Sequence, residues 1–204
     1  MASRPWSSEP VARSTDGGFD LEDEPSIERL GRALADRGPF HLIIDATGAL
    51  TIAGHGPEKS LSRLDGDALR RSLAINTIGP ALLLRSLAPL LATGDAIYAK
   101  LSARVGSISD NRKGGWYGYR ASKAAMNMVL QTAAIELQRR NPHLRVVALQ
   151  PGTVRSRLSK PFERGVEHLL EPDESVAGLM QAMQSLPSKT GAHFIDYQGQ
   201  EIPW

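Results

Sequence analysis

An α/β fold, with a parallel sheet covered by helices on both faces, is predicted by three features of the 204-residue sequence. Strand-length apolar runs alternate with helical patterns through most of the chain. The runs are apolar along their whole length rather than at every second position, as strands buried on both faces are. The connectors are short and break at glycine or proline, which fits βαβ units.

Taken in order, residues 1–18 are rich in Ser, Pro and Gly and read as a tail or loop ending at Gly17-Gly18. Phe19-Asp20-Leu21 reads as a very short strand end. Asp23 and Pro25 open a helix, and Ile27, Leu30 and Leu34 give it one apolar stripe. Residues 40–48 form a buried-type strand that breaks at Gly48, and a loop with Gly54, Gly56 and Pro57 follows. A long helix is expected over residues 67–91, with Gly79-Pro80 as its kink. A strand at 96–101 leads through a glycine- and serine-rich loop, 102–117, into a helix at 118–140. The strand 144–149 ends at Pro151-Gly152. Loop and short helix fill 153–171, a helix spans 172–186, and a last strand lies at 194–197. In such sheets ligands bind at the carboxyl ends of the strands. That places the loops after Asp20, Asp45, Leu101 and Gln150 at one end of the molecule.

Composition narrows the classes. The chain is 41% hydrophobic and 23% charged, ordinary for a globular protein, and long enough for one domain with a sizeable core. Net charge is +2 without a Lys/Arg cluster, so no nucleic-acid footprint is expected. The absence of cysteine excludes disulfides, thiolate chemistry and Cys-ligated zinc. The five histidines are scattered without helical metal-ligand spacing, so no metal site is expected. Arg85, Ser86 and Pro89 interrupt the longest apolar stretch, so no membrane span is expected. With no apolar segment at the N-terminus, the expected location is the cytoplasm.

The chemistry-bearing stretch is Gly114-Gly115-Trp116-Tyr117-Gly118-Tyr119-Arg120-Ala121-Ser122-Lys123. Tyr119 and Lys123 are four residues apart and share a helix face. An ammonium beside a phenol lowers the phenol pKa, while burial of either group pushes the other way. A phenol so tuned can give or take a proton.

Other features join it: Asp20-Leu21, Ala46-Thr47-Gly48 after a strand, Asn76 in a long helix, and Pro151-Gly152-Thr153-Val154 after a strand. In order and spacing the set resembles the short-chain dehydrogenase/reductase family. The phrases Arg104-Val105-Gly106-Ser107-Ile108-Ser109-Asp110-Asn111 and Ile202-Pro203-Trp204 look like its C-factor and Sniffer-like carbonyl reductase branch. The resemblance implies a Rossmann-like doubly wound sheet and an NAD(P)-dependent oxidoreductase, with NADP(H) favoured over NAD(H). Its partner would be a small-molecule ketone or aldehyde. Tyr119 would be the general acid. Lys123 would hold the nicotinamide ribose and depress the Tyr119 pKa, and Asn76 would support a proton relay to Lys123. Asp20 and Leu21 would flank adenine, and Ala46, Thr47 and Gly48 would let backbone approach the cofactor. Pro151, Gly152 and Val154 would flank the nicotinamide, Ser156 would reach its carboxamide or the phosphates, and Arg4 would bind the 2′-phosphate of NADP. By themselves Asn76 also reads as a helix kink, Asp20 as a strand end, Pro151-Gly152 as a plain turn and Arg4 as a tail residue. Family members often pair through the helices that here hold Asn76 and Tyr119, which implies a homodimer.

Two departures stand out. The family's second strand-end serine, which polarises the carbonyl, is replaced by Ala103. Ser102 is one residue off and points away by strand alternation. Ser107, twelve residues before Tyr119, is the candidate replacement. The family's opening strand, Thr-Gly-x-x-x-Gly-x-Gly turn and helix have no counterpart in the chain. Met1-Ala2-Ser3-Arg4 reads as the end of the second strand. The expected fold is therefore N-terminally incomplete by about 30 residues, the usual size of such a unit. A C-factor-like signalling protein and an inactive truncated dehydrogenase are the alternatives to an enzyme.

Overall fold

The computed structural model describes residues 8, 10–12, 18–52, 54, 56–156, 159–160 and 168–204. Arg4, and the second-strand reading of residues 1–4, lie outside them. In chain order the strands are β1 (Leu42–Asp45), β2 (Ile97–Leu101), β3 (Arg145–Gln150), β4 (Thr153–Val154), β5 (Leu169–Leu170) and β6 (His193–Asp196). The helices are α1 (Glu24–Leu34), α2 (Gly66–Leu73), α3 (Gly79–Leu87), α4 (Tyr117–Gln138) and α5 (Pro172–Gln184).

Strands β1, β2, β3 and β6 form one parallel sheet in that order, and β4 pairs with β5 in a separate short ribbon. The register aligns Asp45 with Lys100, Leu101 with Leu149, and Gln150 with Asp196, so the loops after them emerge at one end. Alternation within β2 and β3 splits the core. Tyr98, Val146 and Ala148 face Met126, Leu130 and Ala134 of α4. Ile97, Ala99, Val147 and Leu149 face Leu179, Ala182 and Met183 of α5. Each large aliphatic side chain buried this way contributes about 1.5–3 kcal/mol. The parallel sheet with helices on both faces is as expected from the continuous apolar runs. β1 is the edge strand among the described residues, and its Ile44 is 46% exposed.

Two local expectations are corrected. Phe19-Asp20-Leu21 is not a strand. The Asp20 carboxylate accepts the Glu22 N–H at 3.0 Å, and its carbonyl accepts the Asp23 N–H at 3.1 Å. The acidic side chain thus folds the segment into a turn that leads into α1. The helical irregularity also falls earlier than Gly79-Pro80. Residues Ala74–Ile78 form a π turn, closed by the Gly79 N–H on the Ala74 carbonyl. Pro80 carries no N–H, so the Asn76 carbonyl four residues before it has no helical donor, and the widened turn absorbs the mismatch.

The helical run Gly66–Leu90 is, by length and composition, apolar enough to cross a membrane, contrary to the reading that Arg85 and Pro89 exclude one. Within it Leu83, Leu84 and Leu87 are buried against α1, α4 and the sheet.

Candidate active site

Helix α4 carries Tyr119 and Lys123 in its first two turns. Its start is fixed from three directions. Trp116 enters in the left-handed region at φ 56°, so the chain turns sharply into the helix. The Glu58 carboxylate accepts the Gly118 N–H at 3.0 Å, and its backbone carbonyl accepts the Trp116 N–H. These satisfy amide groups that a helix N-terminus leaves without partners. Arg120 donates to the carbonyls of Gly115, Val105 and Gly114 and so closes the preceding loop onto the helix.

The Lys123 ammonium is buried and donates to the Leu101 carbonyl at the end of β2, 3.1 Å away. It lies 5.6 Å from the centroid of the Tyr119 ring. Trp116 meets the Tyr119 ring edge-on at 6.2 Å. Burial pushes the Tyr119 phenol up to about 12. The expectation that Lys123 depresses it is not met, because the ammonium sits over the ring face and burial of the phenolate outweighs it. Burial likewise pushes Lys123 down to about 7, helped by the Lys100 charge and opposed by Asp45.

Asn76 is fully buried in the π turn. Its amide brackets Ala49, accepting that residue's N–H at 2.8 Å and donating to its carbonyl at 2.9 Å. The turn after β1 is thereby held against the π turn between α2 and α3. Gly48 in this turn has φ 132°, and a Cβ there would lie 2.9 Å from Asn76 Oδ1 and 3.4 Å from Lys123 Nζ. A side chain would fill the concavity that Asn76 and Lys123 line. Ala46 and Gly48 are exposed, so a ligand can reach this backbone.

The remaining predicted residues are placed as follows. Ser107 is buried, and its hydroxyl accepts the Asp110 N–H at 3.0 Å. Among the described residues no hydrogen bond joins it to Tyr119. Ser102 directs its hydroxyl to Asn127 Oδ1 at 2.6 Å, two turns beyond Tyr119 on α4. Leu21 packs closely on Gly79. Gly152 turns the chain at φ 79°, against Leu170 and Tyr197. The Pro151 carbonyl accepts the Ser175 hydroxyl, Val154 pairs with Leu170, and Ser156 exchanges hydrogen bonds with Ser159.

Three residues were missed. Glu58 caps α4 from 60 residues away, which no local pattern signals. Ser122 is fully buried, and its hydroxyl receives the Ser72 hydroxyl and donates to the Tyr119 carbonyl, tying α2 to α4. Lys100 is fully buried in β2; a lysine inside an apolar strand run was the visible signal.

The concavity fits the ribose end of a nicotinamide cofactor, with the Lys123 ammonium for its hydroxyls and a bare Cα at Gly48 for close approach. No Gly-x-x-x-Gly-x-Gly turn occurs in the sequence for the pyrophosphate.

The short chain dehydrogenase family model matches residues 17–167. The 1-hydroxy-2-glutathionyl-2-methyl-3-butene dehydrogenase of Rhodococcus sp. (strain AD45) is 33% identical over 92% of this chain and 79% of its own length. C-signal of Myxococcus xanthus is 31% identical over 82% of this chain and 94% of its own. A short-chain dehydrogenase/reductase from Burkholderia multivorans with bound NADP superposes at TM-score 0.79 and 27% identity, covering 92% of this chain and 76% of that one. A Pseudomonas aeruginosa carbonyl reductase in complex with NADP gives TM-score 0.73 and 26% identity, covering 92% and 76%.

Proposed function

The chain belongs to the short-chain dehydrogenases, a family of oxidoreductases, and from that premise we propose that it reduces a ketone or aldehyde with NADPH. The observation that carries the reading is the convergence of Tyr119, Lys123, Asn76 and Gly48 at the carboxyl ends of β1 and β2. The two neighbours that hold NADP support NADP(H) over NAD(H). A bound nicotinamide would supply the hydride to the carbonyl carbon. Tyr119 would give its phenolic proton to the carbonyl oxygen, so that C=O becomes CH–OH. A phenol near 12 is fully protonated at neutral pH, which suits donation rather than abstraction. Lys123 would bind the ribose hydroxyls and stabilise the phenolate left behind. Asn76 holds the turn that brings backbone to the ribose. Ser107 keeps its own hydroxyl proton while accepting from Asp110, so it remains the candidate second donor in place of Ala103. Asp20, Leu21, Pro151, Gly152, Val154 and Ser156 would line the rest of the cofactor site. A second copy would pair through the outer face of α4 and the π turn, where Ile78, Met128 and Ile135 are exposed.

The test is a thermal shift with NADPH and NADH, followed by turnover across a panel of ketones and aldehydes. Binding and turnover with NADPH are expected. The match to C-signal favours one other reading, a signalling role on the same scaffold. Tight NADPH binding with no turnover on any substrate would select it, and no shift with either nucleotide would leave neither reading standing.

A further inference from the structure

Beneath the proposed site lies a buried ion pair that the proton-transfer scheme does not use. Lys100 Nζ is 3.1 Å from Asp45 Oδ1, and both side chains are fully excluded from solvent. Two charges taken out of water are costly to hold, and removing one partner strands the other. Apolar residues could fill the same volume. The pair therefore calls for an account beyond stability.

Its contacts all converge on the turn at residues 45–48. Lys100 Nζ also donates to the Thr47 carbonyl at 2.5 Å and to Thr47 Oγ1 at 3.3 Å. Asp45 Oδ1 accepts the Thr47 N–H at 2.8 Å and the Thr47 hydroxyl at 2.6 Å. Tyr98 adds its hydroxyl to Asp45 Oδ2 at 3.4 Å. One ammonium and one carboxylate thus fix the backbone of the turn from below, while Asn76 fixes Ala49 from the side. Between them sits Gly48, whose open face borders Lys123 Nζ.

We propose that Asp45 and Lys100 are a positioning pair: they clamp the turn that presents Gly48, and their opposite charges balance each other beside the Lys123 ammonium. The role in catalysis rests on the reductase reading; the effect on Lys123 does not. The groups facing Lys123 are Asp45 from β1, Lys100 from β2, with Tyr98 behind Asp45, and Tyr119 on its own helix. Lys100 pushes the Lys123 pKa down and Asp45 pulls it up. The pair's two halves consequently act on Lys123 with opposite sign.

The experiment uses Asp45→Asn, Lys100→Met and the double variant. The titration of Lys123 is followed by NMR of the lysine side-chain nitrogens, assigned with Lys123→Met. Asp45→Asn removes the charge that holds Lys123 up and is expected to lower the Lys123 midpoint by on the order of one pH unit. Lys100→Met leaves Asp45 and is expected to raise it by a similar amount. The double variant should return close to wild type. In NADPH-dependent turnover, the single variants should move the pH profile in the same two directions and raise the KM for NADPH. Shifts of equal sign, or none, overturn the proposal. If one single variant fails to fold, the other decides. Loss of both with the double variant folded also overturns it, since the pair would then be holding the sheet alone. If no turnover is found in wild type, the reductase reading fails while the NMR shifts still test the pair.

Discussion

The two faces of the sheet are built from different chemistry. On the α5 side, Ile97, Ala99, Val147, Leu149 and Ile195 meet Leu179, Ala182 and Met183 in an apolar layer. On the α4 side, the layer near the strand ends contains Asp45, Ser72, Asn76, Lys100, Ser102, Ser122, Lys123 and Asn127, all buried. Burying polar groups costs free energy unless each finds a partner. Most do: Asn76 on Ala49, Ser102 on Asn127, Ser122 on Tyr119, Lys100 on Asp45 and Thr47. One atom, Asn127 Nδ2, has none among the described residues. The apolar face stabilises, and the polar face spends some of that stability on placing a tyrosine, a lysine and a bare glycine in one concavity.

Substitutions should separate the two. On the polar face, Tyr119→Phe removes only a hydroxyl. Turnover with NADPH is expected to fall by about 10²–10⁴-fold, the usual contribution of a positioned proton donor, with cofactor binding and melting temperature nearly unchanged. Initial rates and NADPH titration check this, and retained activity would remove Tyr119 from the mechanism. On the apolar face, Met183→Ala should do the converse. Met183 is 2% exposed, and truncating a core side chain of this size costs about 2–5 kcal/mol. Urea unfolding should show that loss, while kcat per folded molecule stays at the wild-type value. A Met183→Ala enzyme that is stable but slow would contradict the division between the faces.

The same division governs what the sequence could reveal. The apolar face was readable, because continuous runs such as Val146-Val147-Ala148-Leu149 report burial on both sides without reference to any other part of the chain. Tyr119, Lys123 and Asn76 were readable as candidates through their order and spacing. The partners that hold them were not. Glu58 reaches the α4 start across 60 residues, and Ser72 reaches Ser122 across 50. Such contacts depend on tertiary packing, not on local periodicity. The direction of the Tyr119 pKa was misjudged for the same reason: a four-residue spacing shows that Lys123 and Tyr119 are neighbours, but not how deeply both are buried.

Burial on the polar face also predicts how stability depends on pH. Lys123 titrates near 7 when folded and near its ordinary 10.5 when unfolded. Between those values the unfolded chain binds more protons, so stability from this group rises with pH. Lys100 is shifted in the same direction. Tyr119 acts oppositely: the native state keeps a proton that the unfolded chain loses near 10.0, so its contribution falls as pH climbs toward 12. Chemical unfolding across pH 7 to 10 should therefore show a rising component, which Lys123→Met reduces. A flat difference between that variant and wild type would mean that the ammonium is better solvated than its burial implies.

The smallest effect expected is at Glu58, where the polar face is tied down at its rim. Its carboxylate sits at the N-terminus of α4, accepting the Gly118 N–H at 3.0 Å. The charge is favourable there because the helix dipole presents its positive end. Glu58→Gln keeps an acceptor of the same length and removes only the charge, so a loss of about 0.3–1 kcal/mol is expected. Glu58→Ala removes the acceptor as well and should approach the cost of losing a helix cap, about 1 kcal/mol or somewhat more. If the contact serves only to close the helix end, both variants lower the melting temperature and leave kcat alone. If it also sets the direction in which α4 presents Tyr119, Glu58→Ala lowers kcat beyond its effect on stability while Glu58→Gln does not. Unfolding and initial-rate measurements on the two variants together decide whether the rim belongs with the stabilising face or with the chemical one.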